Sequence, residues 1–288
     1  VSTGEARARA ADITREHDEN FPVAFMLAPR GVRDDMRAVY AYCRVTDDIG
    51  DAGVATHDER LAALDAWEAG LHAALDDRGD DPVLIALADV IRRRRLPVEQ
   101  FERLVEANRI DQRVSRWDTH EDLLWYCAHS ATPVGRMVLG VLGIGDARRM
   151  ALSDATCEGL QLVNLWQDIR RDLDERDRVY LPREDMDLFG VTVDDLRAPA
   201  ASAALRELVR MEVGRARARL VQGAPLRGMV PRRVRHDIAM FTAGGLWVCD
   251  SIAGQDFDTI AARPAPGARG RAGMAVGVAW RMLRGGRA

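Results

Sequence analysis

Apolar residues recur at intervals of three and four along nearly the whole chain, while the alternation of a half-buried strand, with its enrichment in Val, Ile and Thr, is almost missing. That periodicity restricts the fold to packed helices. With its breaks, it predicts helices over roughly 4–18, 32–51, 57–76, 82–94, 97–113, 119–143, 146–174, 199–222 and 229–256. The breaks are "DAG" at 51, "DDRGDDP" at 76, "LP" at 96, "LGIGD" at 142, "YLPRED" at 180 and "GAPLRG" at 223. No fixed-period repeat, Gly/Ser linker or shift of composition divides the chain before residue 258. A single all-α domain over 1–264, followed by a tail over 265–288, is therefore expected.

Two of these helices carry a polar line through an apolar sequence. In "QLVNLWQDIRRD" (161–172), Asn164, Asp168 and Asp172 are four residues apart, and Gln161 extends the line by about one turn. In "YAYCRVTDDIGD" (40–51), Asp47 and Asp51 have the same spacing, Arg44 lies one turn earlier and Asp48 points elsewhere. Residues i and i+4 of a helix share a face about 6 Å apart along the axis. Two carboxylates so placed repel, and burying them costs more unless a cation meets them. Hard divalent cations answer this need, because Mg²⁺ takes one or two carboxylates and completes its shell with water and phosphate oxygens. A single DxxxD is most often a solvated face. Two of them, each in an apolar helix with amide or Arg neighbours, suggest a metal-bridged diphosphate.

Composition removes other classes. Net charge is −4, from 45 acids against 41 bases, so a general nucleic-acid binder is not indicated. Every base is Arg and none is Lys, a pattern that coding bias explains as well as chemistry does. Cys43, Cys127, Cys157 and Cys249 lack CxxC spacing and read as reduced core residues. The six histidines (17, 57, 72, 120, 129 and 236) show no HExxH or other metal-ligand spacing, and no GxSxG, P-loop or dinucleotide fingerprint occurs. "IRRRR" (91–95) suits a helix C-terminus, where cations meet the dipole. No run of about 18 apolar residues and no apolar leader segment is found, so a cytoplasmic protein is expected. Beyond Asp258 there is no acid but six Arg, which reads as a loose arm or as a basic amphipathic anchor on an anionic membrane face.

Further segments complete a pattern around the two lines: "YAYCR" with Tyr40 and Arg44, "NRIDQR" with Asp111, "YCAHSATPVG" with Tyr126 and Gly135, and "RVYLP" with Tyr180. With "DDIGD" and "QLVNLWQD", in this order, the chain resembles the squalene/phytoene synthases from about His17 to Pro264. The resemblance implies a class I isoprenoid synthase helical bundle around a central cavity and a prenyl diphosphate substrate. It implies two or three Mg²⁺ ions on Asp47, Asp51, Asp168 and Asp172, with Arg44 and Tyr40 also catalytic. Substrate contacts are implied for His17, Asn20, Phe21, Asp111, Tyr126, Gly135, Gln161, Asn164, Trp166 and Tyr180.

Three stretches, "ENFPVA" (19–24), "SATPVGR" (130–136) and "WQD" (166–168), resemble the hydroxysqualene synthase branch of bacterial hopanoid pathways. Carotenoid-type members tend to show Ser at Asn20, "AGTVGE" for "ATPVGR" and Arg at Gln167. The implied reaction ionises presqualene diphosphate, rearranges the cation in a dry apolar tunnel and ends with water, without NADPH. Phe21, Tyr40, Tyr126 and Trp166 could stabilise passing positive charge by about 0.5–2 kcal/mol each, or be plain core. Two alternatives remain open: head-to-head condensation of two prenyl diphosphates, and a non-catalytic helical scaffold that binds them. Enzymes of the squalene pathway, upstream and downstream, would be the partners, at the inner face of the membrane if the tail anchors there.

Overall fold

The computed structural model describes residues 5–6, 30–51 and 55–264. Nearly all of the helix expected over 4–18, the site residues His17, Asn20 and Phe21, and the basic tail 265–288 lie outside the described residues. The described chain runs through α1 (Arg30–Gly50), α2 (His57–Leu75), α3 (Pro82–Arg94), α4 (Glu99–Arg113), α5 (His120–Ser130), α6 (Thr132–Val141) and α7 (Ala147–Gln167). It continues through α8 (Ile169–Arg176), α9 (Arg183–Phe189), α10 (Val193–Leu196), α11 (Ala203–Gly223), α12 (Leu226–Met229) and α13 (Arg235–Gly254). Among the described residues there is no strand, only one isolated parallel bridge between Arg116 and Val179. The all-α expectation therefore holds. Contacts of the described residues gather into two compact units, one from the chain up to 114 with 128–150, the other from 115–127 with 151–264.

In the first unit, local chemistry sets the helix starts. Thr56 and Glu59 form a capping box at α2, with Glu59 N–H donating to Thr56 Oγ1 (3.2 Å) and Thr56 N–H to Glu59 Oε2 (2.7 Å). Asp81 caps α3 by accepting from the N–H groups of Val83 (2.8 Å) and Leu84 (3.1 Å), and Pro82 occupies the first turn, where its missing N–H is harmless. Helix α1 packs on α2, α3, α4 and α6. Its buried Tyr42 stacks on Trp67 (5.7 Å) and meets Phe101 edge-on (5.4 Å), while the Tyr42 hydroxyl donates to Phe101 O (3.1 Å). The "IRRRR" arginines do more than face a helix dipole. Arg93 (2.6 Å) and Arg94 (2.7 Å) both pair with Asp35 of α1, which is buried, and so tie α3 to α1.

In the second unit, α13 packs on α11 and α12, and α9 packs on α11. Gly223 is needed where α11 ends, because a Cβ there would lie 2.0 Å from Thr156 Oγ1 and 2.7 Å from Leu152 O. Leu162, Leu205, Leu208, Leu220, Cys249 and Ile252 are fully buried. All four cysteines are free, but only Cys127 and Cys249 are core residues; Cys43 and Cys157 are partly exposed, which corrects the core assignment for that pair.

Three helix boundaries depart from the periodicity. The span 119–143 divides at Ala131, because Pro133 supplies no N–H and belongs in the first turn of a new helix. The span 146–174 divides at Asp168 (φ −111°, ψ 12°), whose N–H is shared by Asn164 O (3.1 Å) and Leu165 O (3.3 Å) in a tightened turn. The span 229–256 starts only at Arg235, after the short α12 and Pro231. Helices α9 and α10 are four to seven residues long, too short to show a period, and their signals are local. Gly190 ends α9 at φ 66°, and a Thr192–Asp195 capping box starts α10.

Candidate active site

The first acidic line lies on α1. Asp47 is half-buried, and Asp51 follows the helix with its N–H donating to Asp47 O (2.9 Å), so the i,i+4 register holds to the end. The support comes from α4. Asn108 Nδ2 donates to Asp47 Oδ1 (3.4 Å), and Gln112 Nε2 donates to Gly50 O (3.0 Å) and Asn108 O (3.1 Å). Arg60 of α2 holds the Gln112 amide through Nε (2.7 Å). Gly50 lets the two helices approach this closely, since a Cβ there would fall 2.0 Å from Asn108 Oδ1. Arg44 is paired with exposed Asp48 (2.6 Å) rather than with Asp47, and its buried Nε makes no hydrogen bond among the described residues. Burial pushes the Asp47 carboxyl up to about 7, with the Asp51 and Asp48 charges adding, against the Asn108 hydrogen bond and the Arg44 charge. Burial also raises the half-buried Tyr40 hydroxyl.

The second line crosses the break between α7 and α8. Despite the break, Asp172 N–H still donates to Asp168 O (2.9 Å), so both carboxylates keep the helical spacing. Both are buried, whereas Asn164 is exposed and Gln161 intermediate. Asp168 is held by Arg263, through Nε and through Nη2 (3.1 Å), and by Arg171 (2.9 Å). Next to it, Gln167 Nε2 donates to Pro264 O. Residues 263–264 thus lie on the Asp168 end of the line. Burial, then the Asp168 charge, pushes the Asp172 carboxyl up to about 6 against the charges of Arg171, Arg176 and Arg178.

Of the other candidate residues, Tyr126 and Tyr180 come together in the second unit, with ring centroids 5.7 Å apart and Trp117 5.0 Å from Tyr126. Trp166 is fully buried and its indole N–H has no hydrogen-bond partner among the described residues. Asp111 lies on α4, partly exposed, and Gly135 on α6. Sequence reasoning missed Asn108, Gln112, Trp117 and the contacts of Arg171 and Arg263. The spacing of Asn108 and Gln112, four apart within "NRIDQR", repeats the polar line of α1 and could have marked them. Nothing local points from Arg263 to Asp168, 95 residues away.

Comparison with known proteins decides the family. The family model described as squalene/phytoene synthase matches residues 14–272. The chain belongs to this family. It is 36% identical over 210 residues to a hydroxysqualene synthase of Rhodopseudomonas palustris, covering 73% of this chain and 70% of that protein. It is 31% identical over 221 residues to the chloroplastic phytoene synthase 1 of Arabidopsis thaliana, covering 74% of this chain and 52% of that protein, about half its length. The crystal structure of squalene synthase HpnC from Alicyclobacillus acidocaldarius superposes with a TM-score of 0.83 at 42% identity, over 88% of this chain and 95% of that one. The fold is that of the squalene synthase-like isoprenoid synthases.

Members of the squalene/phytoene synthase family are prenyltransferase-like enzymes that act on prenyl diphosphates. The donor set of each line fits a hard divalent cation: two carboxylates four residues apart, with Asp47 and Asp172 raised by burial. No helix among the described residues is long and apolar enough to cross a membrane.

Proposed function

We propose that this protein is a hydroxysqualene synthase, a lyase-type member of the squalene/phytoene synthase family that ionises presqualene diphosphate and ends the reaction with water. The C–O bond to the diphosphate breaks, the leaving group keeps the electron pair, and the cyclopropylcarbinyl cation rearranges. A water oxygen then forms the new C–O bond and loses a proton, giving hydroxysqualene and diphosphate. The main support is the helical spacing of Asp47 with Asp51 and of Asp168 with Asp172, kept in the structure, where burial pushes the Asp47 and Asp172 carboxyls up to about 7 and about 6. Asp47 and Asp51 on one line, and Asp168 and Asp172 on the other, would hold Mg²⁺. When bound, Mg²⁺ supplies the Lewis acid that stabilises a departing diphosphate.

The residues of this chain do the rest. Asn108 and Gln112 keep the Asp47 carboxylate and the end of α1 in one orientation. Arg44, one turn before Asp47, is placed to give a guanidinium to diphosphate oxygens by exchanging its exposed partner Asp48. The Tyr126–Tyr180–Trp117 cluster presents aromatic faces able to balance positive charge. Water as the terminating nucleophile is favoured by "SATPVGR" and "WQD" and by the similarity to the Rhodopseudomonas palustris hydroxysqualene synthase.

Head-to-head condensation is the second reading, favoured by the 31% identity to a plant phytoene synthase. Purified protein with Mg²⁺, without NADPH, is given farnesyl diphosphate or presqualene diphosphate, and the products are identified by mass spectrometry. Hydroxysqualene from presqualene diphosphate is expected; turnover of farnesyl diphosphate alone establishes the condensing enzyme instead. Asp47→Asn and Asp168→Asn should each abolish turnover at unchanged helical content. Full product formation by either variant overturns the metal role.

A further inference from the structure

Outside the two acidic lines, the second unit holds a buried cluster that the proposed reaction does not use. His120 opens α5, Asp185 lies on α9 and Glu212 on α11. One ligand atom of each residue lies within 4.8 Å of the other two. Asp185 and Glu212 are 3% and 0% exposed, so both carboxyls are buried. Arg215 donates to Asp185 Oδ2 (2.6 Å) and Oδ1 (3.2 Å) and to Glu212 Oε1 (2.7 Å), one guanidinium shared between two acids. Among the described residues Glu212 Oε2 has no hydrogen-bond partner, nor has the buried Nδ1 of His120, and these two atoms face each other at 3.8 Å. An acceptor oxygen wholly buried without a donor is a costly arrangement that a folded protein rarely keeps.

We propose that His120, Asp185 and Glu212 form a second metal site, for a borderline divalent cation of the Zn²⁺ type. One imidazole nitrogen and two carboxylate oxygens are a common three-residue zinc donor set with a fourth position left for water. The imidazole separates this site from the all-oxygen lines, since nitrogen ligands favour Zn²⁺ over Mg²⁺. Each carboxylate oxygen has two lone-pair directions, so Asp185 can keep Arg215 and still bind an ion. Arg215 then acts as an outer partner that orients both acids. All three ligands lie in the second unit, on three helices, so the ion would staple the start of α5 and α9 to α11. Its role is structural, and its free energy of binding adds to the stability of the fold.

The full chain, stripped with chelator and dialysed, is titrated with ZnCl₂ or MgCl₂, following bound metal by elemental analysis and unfolding by thermal melting. To keep the acidic lines from reporting, the titration is repeated in the Asp47→Asn/Asp168→Asn double variant. The expected result is one tightly held Zn²⁺ per chain in both proteins and a melting midpoint raised by several degrees with Zn²⁺ but not Mg²⁺. His120→Ala should lose both effects, and Glu212→Gln, which keeps side-chain shape, should weaken binding at least tenfold. The proposal is overturned if wild type and His120→Ala bind Zn²⁺ equally, if the double variant loses it, or if Zn²⁺ leaves the wild-type midpoint unmoved. The last result would make the cluster a direct His120–Glu212 hydrogen bond.

Discussion

Gly50→Ala places a methyl group where the first acidic line meets its support. The new Cβ would sit 2.0 Å from Asn108 Oδ1, 2.9 Å from Cγ and 3.2 Å from Cβ, so the whole Asn108 amide must swing away. That movement removes its bonds to Asp47 Oδ1 (3.4 Å) and to Leu104 O (3.1 Å). Alanine gains about 0.5–1 kcal/mol over glycine from backbone entropy and helix propensity. Overpacking opposes this by about 1–3 kcal/mol, and each lost hydrogen bond adds about 1 kcal/mol. A net loss of about 2–4 kcal/mol follows. Gly214→Ala, exposed on α11 with nothing within 4 Å of the added Cβ, is the control and should gain about 0.5–1 kcal/mol.

Urea unfolding of both variants reads the two signs side by side. Combining Gly50→Ala with Asn108→Ala makes room for the methyl group, so the double variant should be more stable than the sum of the singles by about 1 kcal/mol or more. Because Asn108 leaves Asp47 in Gly50→Ala, the Mg²⁺ concentration for half-maximal diphosphate release should rise, while the Gly214→Ala value stays fixed. A Gly50→Ala protein as stable as wild type, with an unchanged Mg²⁺ requirement, would refute the close approach of α1 to Asn108 and its part in holding Asp47.

Three further outcomes are expected. In metal-free protein Asp47 and Asp172 titrate near 7 and 6, above the ordinary carboxylate value of 3.8, so the native state binds the extra protons. Their stabilisation is complete below about pH 4 and lost as pH rises through 6–7, so Mg²⁺ should raise the melting midpoint more at pH 8 than at pH 5; equal shifts would sink this account. Arg263→Gln removes a guanidinium from Asp168 and should tighten Mg²⁺ binding several-fold by calorimetry, whereas unchanged affinity means that no competition exists. Asp35→Ala, measured in urea, should cost about 1–3 kcal/mol. It falls short of the ~3–5 kcal/mol for breaking a fully buried pair because Arg93 and Arg94 are 40% and 31% exposed and rehydrate; a loss under about 0.5 kcal/mol contradicts the tie to α3.

What the sequence disclosed and what it hid divide by range. The spacing of Asp47 to Asp51 and of Asp168 to Asp172 is a helical property, readable within five residues and kept in the structure even where α7 gives way to α8. Caps at Thr56 and Asp81 are equally local and mark the starts of α2 and α3 closely. The breaks at Ala131 and Asp168 were missed because the apolar period runs on through them; Pro133 was the visible signal for the first. Asn108 and Gln112 are 61 and 62 positions from the groups on α1 that they hold, and Arg263 is 95 from Asp168, distances at which no pattern in one sequence assigns a partner.

The two acidic lines, considered one at a time, differ in what surrounds them, and this sets what a divalent cation would meet. Asp47 has a neutral amide donor, and its nearest arginine, Arg44, is engaged by Asp48. Asp168 has two guanidiniums on it, and Asp172 lies among the fields of Arg171, Arg176 and Arg178. Burial is the first cause of the raised carboxyls at both Asp47, about 7, and Asp172, about 6, and the arginines around Asp172 work against it. Among the described residues no guanidinium is paired with Asp47, so a cation arriving there displaces none. At Asp168 it must first displace Arg263 or share the carboxylate with it. Of the two lines, the first should therefore load with metal alone, and the second only when a diphosphate supplies the oxygens that draw the arginines away.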